Sequence, residues 1–95
     1  MKVIVQKYGG TSMGSVDRIH RVATRIKKWS DTDVKLVVVT SAMSGETNRL
    51  ISLAKNFTAD PDARSLDQVL ASGEQVSSGL LTIMLKELGL DAISF

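Results

Sequence analysis

The sequence predicts an α/β layer structure with a mainly parallel sheet, and three observations predict it. A short β-branched run, Lys2 to Tyr8, stops at the pair Gly9-Gly10, as a strand does on entering a loop. A nearly unbroken apolar run, Val34-Lys35-Leu36-Val37-Val38-Val39, has the composition of a strand buried on both faces of a sheet. Between and after these runs the apolar residues recur at helical spacing, so strand and helix alternate along the chain. Crossover connections in such a sheet are right-handed, and ligands bind at the carboxyl ends of its strands.

Each element has its own signal. From Ser15 to Trp29 the residues Val16, Ile19, Val22, Ala23, Ile26 and Trp29 fall on one helical face, while Arg18, Arg21, Arg25 and Lys28 fall elsewhere. Ser15 is suited to cap this helix, with Asp17 beside its positive end. The polar stretch Ser30 to Asp33 precedes the second strand, and the small, polar Ser41 to Gly45 follows it. Leu50, Ile51, Leu53, Ala54 and Phe57 then mark a second amphipathic helix, which ends before Pro61. Beyond the proline the chain reads as mostly helical, with one apolar face at Leu66, Val69 and Leu70. Val76, Leu80, Leu81, Met84, Leu85 and Leu88 form another, and Gly73 and Gly79 act as breaks or close-packing points. Gly89 terminates the last helix, and Ala92 to Phe95 reads as the opening of a third strand. No internal repeat or low-complexity tract interrupts this order.

Composition limits the functional classes. Ninety-five residues make at most one small domain, and 43% hydrophobic with 23% charged residues is a globular balance. The net charge of +2 is a small excess of 12 basic over 10 acidic residues, which does not imply a nucleic-acid partner. Tyr8, Trp29, Phe57 and Phe95 are too dispersed to stack bases, and the basic stretch Arg21 to Lys28 reads as a solvated helix face. Without cysteine there is no disulfide, thiolate catalysis or zinc-thiolate site, and the first residues lack the apolar run of a signal peptide or membrane span. A cytoplasmic location is expected. His20 stands between arginines with no companion at ligand spacing, so no metal site is expected.

Three segments could carry chemistry. Lys7-Tyr8-Gly9-Gly10-Thr11-Ser12 closes the first strand, where glycines let backbone amides approach an anion and Lys7 adds a mobile charge. Taken alone, Gly-Gly after a strand is equally a tight turn. Neither G-x-x-x-x-G-K-[ST] nor G-x-G-x-x-G occurs. Thr40 to Thr47 leaves the second strand with hydroxyls at Ser41, Ser44 and Thr47; the competing structural reading has Ser44 capping the next helix and Thr47 in its first turn. Ala71-Ser72-Gly73-Glu74-Gln75-Val76 sets a carboxylate between apolar helical stretches, where Glu74 either meets a ligand ammonium or is first-turn helix charge.

Together K-Y-G-G-T-S at 7–12, T-S-A-M-S-G-E-T-N-R-L at 40–50 and A-S-G-E-Q-V-S at 71–77 resemble the aspartate kinase family of the amino-acid kinase fold, in order and spacing from Met1 to Phe95. The resemblance implies a three-layer αβα fold of which residues 1–95 are the amino-terminal part of the catalytic domain, without the regulatory ACT domains. It implies that Lys7 contacts the transferring phosphate and that Tyr8, Gly9 and Gly10 belong to the ATP phosphate-binding loop. Ser41 would lie near the reacting groups, and Thr47 and Glu74 at the aspartate positions, Glu74 facing the α-ammonium. The implied reaction is transfer of the γ-phosphate of ATP to the side-chain carboxylate of aspartate, with magnesium accompanying the nucleotide, on the route to lysine, threonine and methionine. The nucleoside-binding half of such an enzyme has no counterpart in these residues, so the isolated chain is expected to be inactive and to self-associate, and the parent to be oligomeric. The alternative from another class is a non-catalytic binding or assembly module.

Overall fold

The computed structural model describes residues 2–9 and 11–95. Five elements follow in order: β1 (Lys2–Tyr8), α1 (Val16–Ser30), β2 (Val34–Thr40), α2 (Glu46–Lys55) and α3 (Ala63–Glu87). β1 and β2 pair in parallel from Lys2 opposite Val34 to Tyr8 opposite Thr40. A parallel pair needs a crossover connection, and α1 supplies it.

Helix α1 forms where the apolar period predicts. Ser15 stands in extended conformation and its Oγ accepts a hydrogen bond from the Arg18 N–H at 3.3 Å. Asp17 in the first turn and Lys27 and Lys28 in the last complement the helix dipole. Ile19, Val22, Ala23 and Ile26 are buried. Each of the larger ones contributes on the order of 1.5–3 kcal/mol by leaving water. They join Tyr8, Met13, Leu81 and Leu85 in the core, with Leu36 and Val38 packed against it, so α1 and α3 share one face of the sheet.

The other face is open. Alternation puts Val3, Val5 and Lys7 of β1 beside Lys35, Val37 and Val39 of β2. Val3 and Val5 are 63% and 65% exposed, and Val37 and Val39 both 45%. The expectation that β2 is buried on both faces is therefore corrected: its residues alternate between half-buried and exposed, because helices cover one side alone among the described residues.

Three other expectations change. α2 starts from Gly45, at φ 79°, and no side chain caps it, so Ser44 is not the cap. The region beyond Pro61 is one unbroken helix of 25 residues, roughly 37 Å long. Neither Gly73 nor Gly79 breaks it. Asp62 caps its start by accepting from the Ser65 N–H at 3.0 Å. Gly89, at φ 88°, ends it as expected: its N–H donates to Lys86 O and that of Leu90 to Leu85 O, both at 3.0 Å. Residues 90–95 carry no regular structure. The third strand opening at Ala92 is thus absent, since a strand needs a ladder partner and the described sheet has two strands. No helix of the described residues is long and apolar enough to cross a membrane.

Candidate active site

The loop after β1 is pinned at both ends. The Tyr8 side chain is buried in the core with its hydroxyl donating to Gln6 Oε1 at 3.0 Å, and Met13 is wholly buried five residues later. The Met13 N–H donates to Gly9 O at 3.2 Å, and Arg18 Nη1 reaches back from α1 to Thr11 O at 2.7 Å. Gly9, Thr11 and Ser12 remain exposed between these anchors. Gly10, assigned to the same loop, lies outside the described residues. A Cβ at Gly9 would meet nothing within 4 Å, and its φ is not positive, so neither packing nor backbone conformation requires a glycine there.

All three motifs meet at Ser41. The Ser41 N–H donates to Tyr8 O at 3.2 Å, which joins the second loop to the first. From α3, Ser77 Oγ donates to Ser41 O at 2.7 Å and lies 3.0 Å from Glu74 O. Gly73 sits against the same loop and the following helix: a Cβ there would approach Leu50 Cδ1 to 3.1 Å, Glu46 Cγ to 3.2 Å and Ala42 Cβ to 3.5 Å. The third motif is therefore a mid-helix surface packed on the second. This corrects the first-turn alternative for Glu74, which is the twelfth residue of α3 and exposed.

Lys7 and Ser41 share the carboxyl edge of the sheet, Lys7 exposed on its open face and Ser41 half-buried. Thr47 is exposed in the first turn of α2. The hydrogen bonds of the described residues include none from the side chains of Lys7, Thr47 or Glu74. The fold thus brings Tyr8, Ser41 and the backbone of the 71–77 motif into direct contact. The Lys7, Thr47 and Glu74 side chains are exposed and make no hydrogen bond or ion pair among the described residues.

The charges nearby are distributed unevenly. Glu46 and Arg49 form a two-pronged pair at 2.6 and 3.0 Å. The hydrogen bond from Arg49 holds the Glu46 carboxyl below its ordinary range, with the guanidinium charge adding to it. On the α1 side of the first loop an open recess of about 270 Å³ is lined by Tyr8, Thr11, Ser12, Arg18, Arg21 and Arg25. These arginines meet no carboxylate at ion-pair distance among the described residues. The sequence showed them only as a solvated helix face. Met13 was not singled out, Arg18 was read only as lying off the apolar face of its helix and Ser77 only as the last residue of the third motif; a lone apolar residue inside a polar loop was the available sign for Met13.

Residues 2–95 match the amino acid kinase family, and the chain belongs to that family. Within it the similar proteins are aspartate kinases. The chain is 54% identical over 95 residues to the aspartate kinase of Pseudomonas putida, covering all of this chain and 23% of that protein. It is 50% identical over 92 residues to the aspartokinase of Helicobacter pylori strain J99, covering 97% of this chain and again 23% of the relative. The crystal structure of aspartate kinase from Synechocystis superimposes with a TM-score of 0.95 at 47% identity, over 98% of this chain and 16% of that one. E. coli aspartokinase III, solved in complex with aspartate and ADP in the R-state, gives 0.80 at 25% identity, over all of this chain and 31% of that one. The chain thus spans about a quarter of the length of the curated relatives it matches.

Proposed function

We propose that these residues form the amino-terminal part of an aspartate kinase catalytic domain, which transfers the γ-phosphate of ATP to the side-chain carboxylate of aspartate. The reading rests on the junction at Ser41, where both loops at the carboxyl edge of the sheet and the 71–77 motif are tied together. Lys7, exposed at that edge, would stabilise charge on the transferring phosphoryl group. Tyr8, Gly9 and Gly10 would form the phosphate loop, and the open space over Gly9 suits close approach of a ligand. Ser41 would sit beside the nucleotide phosphates, and Thr47 and Glu74 would hold aspartate, Glu74 through the α-ammonium. Carboxylate attack then gives aspartyl phosphate and ADP. The product leads towards lysine, threonine and methionine, and the parent is an oligomeric cytoplasmic enzyme in the same proposal.

Magnesium accompanies ATP in such chemistry, but no three His, Cys, Asp or Glu of the described residues gather to hold a metal ion. Magnesium bound with a nucleotide takes most of its ligands from the phosphates and water.

The test places this sequence in the full length of the Pseudomonas putida relative, replacing the matching segment. Lys7→Ala should lower kcat by about 10²–10³-fold with little change in the aspartate KM, as expected of charge stabilisation in the transition state. Thr47→Ala and Glu74→Ala should mainly raise the aspartate KM. Wild-type turnover with Lys7→Ala, or weakened ATP binding with unaltered aspartate in the other two, would refute the assignment.

A further inference from the structure

Ser77 is a wholly buried polar residue of α3, within hydrogen-bond reach of the backbone carbonyls of two proposed site residues. Its hydroxyl carries one proton, yet two oxygens face it: Ser41 O at 2.7 Å and Glu74 O at 3.0 Å. The two acceptors are not equivalent. Glu74 O lies inside the α3 ladder, whereas Ser41 O lies just past the end of β2 and receives no backbone N–H among the loop hydrogen bonds of the described residues. The proton therefore belongs on Ser41 O while the second loop is seated. A half-buried carbonyl left without it would be costly.

Glu74 O remains within reach of the same hydroxyl, so Ser77 touches the backbones of both segments at once. Gly73, one turn earlier on the same helix, lets α3 approach Ala42 closely enough for this contact. We infer that Ser77 is a positioning residue that couples the two substrates, by tying the Ser41 loop on the nucleotide side to the Glu74 turn on the aspartate side. The inference rests on the functional reading above. Its physical warrant is the single buried hydroxyl that lies within hydrogen-bond distance of both backbones, so that displacing either segment disturbs the other.

The experiment again uses the kinase carrying this sequence at its amino terminus, and it measures the factor by which saturating aspartate changes the apparent KM for ATP. Unmodified protein should show a factor of about fivefold, the change expected from one net hydrogen bond. Ser77→Ala should bring that factor close to one. Ser77→Thr, which keeps the hydroxyl, should retain the original factor. Ile26→Ala, a buried α1 change of the same core, should lower the melting temperature and leave the factor alone. Should Ser77→Ala fail to fold, Ser77→Cys takes its place with the same expected readings, because a thiol is a weak donor of similar size. A factor of one in unmodified protein, an unchanged factor in Ser77→Ala, or an equal shift in Ile26→Ala overturns the coupling role. An unmodified chimaera that folds but never phosphorylates aspartate instead defeats the functional reading, and the coupling role with it.

Discussion

A Cβ at Gly9 meets open space, whereas one at Gly73 comes within 3.1 Å of Leu50 Cδ1. The two glycines should therefore separate ligand binding from folding. Gly9→Ala is expected to leave the melting temperature unchanged while raising the KM for ATP, read by thermal unfolding and initial rates on the same chimaera. A drop in melting temperature equal to that of a core substitution would show that Gly9 serves the loop itself. Gly73→Leu should instead destabilise by about 1–3 kcal/mol in denaturant unfolding, since the added atoms must displace Leu50 and Glu46. The sequence could mark both as special but could not assign the reasons. Gly73 is explained by the approach of α2, and Ser77 by a loop 36 residues away. Neither relation leaves a local trace.

The helices were legible where period and cap agreed. Ser15 followed by the apolar stripe of α1 located that helix to within a residue, and Gly89 located the end of α3. Continuity of α3 was not legible, because Gly73 and Gly79 inside an apolar pattern look like punctuation; α2 packs beside Gly73, while a Cβ at Gly79 would meet nothing within 4 Å. The start of α3 is acid-sensitive. Asp62 is held below the ordinary aspartate range, first by the Ser65 backbone N–H and then by its hydroxyl. A carboxyl depressed on folding contributes stability that is complete above its unfolded value, about 3.9, and is lost as pH falls through the lower folded value. Helicity measured by circular dichroism should therefore decline as pH falls below about 4. Asp62→Asn keeps a capping oxygen without a titrating group and should flatten that decline; an identical profile would remove Asp62 from the account. Glu46 shifts in the same direction through Arg49, and its exposed pair should weaken with added salt.

The molecule as a whole is extended and unusually wet. Its radius of gyration is 15.4 Å against about 12 Å for a compact domain of this length. Its accessible surface is 6804 Å², about 1,400 Å² more than a monomer of this mass normally exposes. That excess is larger than the roughly 800 Å² that one partner buries in a standard protein interface. Val3, Val5, Val37 and Val39 on the open sheet face and Val76, Leu80 and Ile83 on α3 account for part of it. Residues 1–95 alone should accordingly show a molar mass that rises with concentration in sedimentation, and no aspartate-dependent ADP release in a coupled assay. Steady turnover by the isolated chain would mean that these residues hold more of the site than is proposed.

The pairing of β1 with β2 also sets an order of events in folding. Every rung of that ladder joins residues 32 positions apart, as Lys2 with Val34. No hairpin can seed such a sheet, and closing each rung first requires the intervening chain to be shortened. Coiling α1 draws its 15 residues into roughly 22 Å, which brings the two strands within reach and presents Ile19, Val22 and Ile26 as the surface they settle on. The Ser15 cap and the apolar stripe of α1 therefore govern how fast the sheet is born as well as how firmly it is held, and a chain emerging from the ribosome cannot begin its sheet before β2 has left the tunnel.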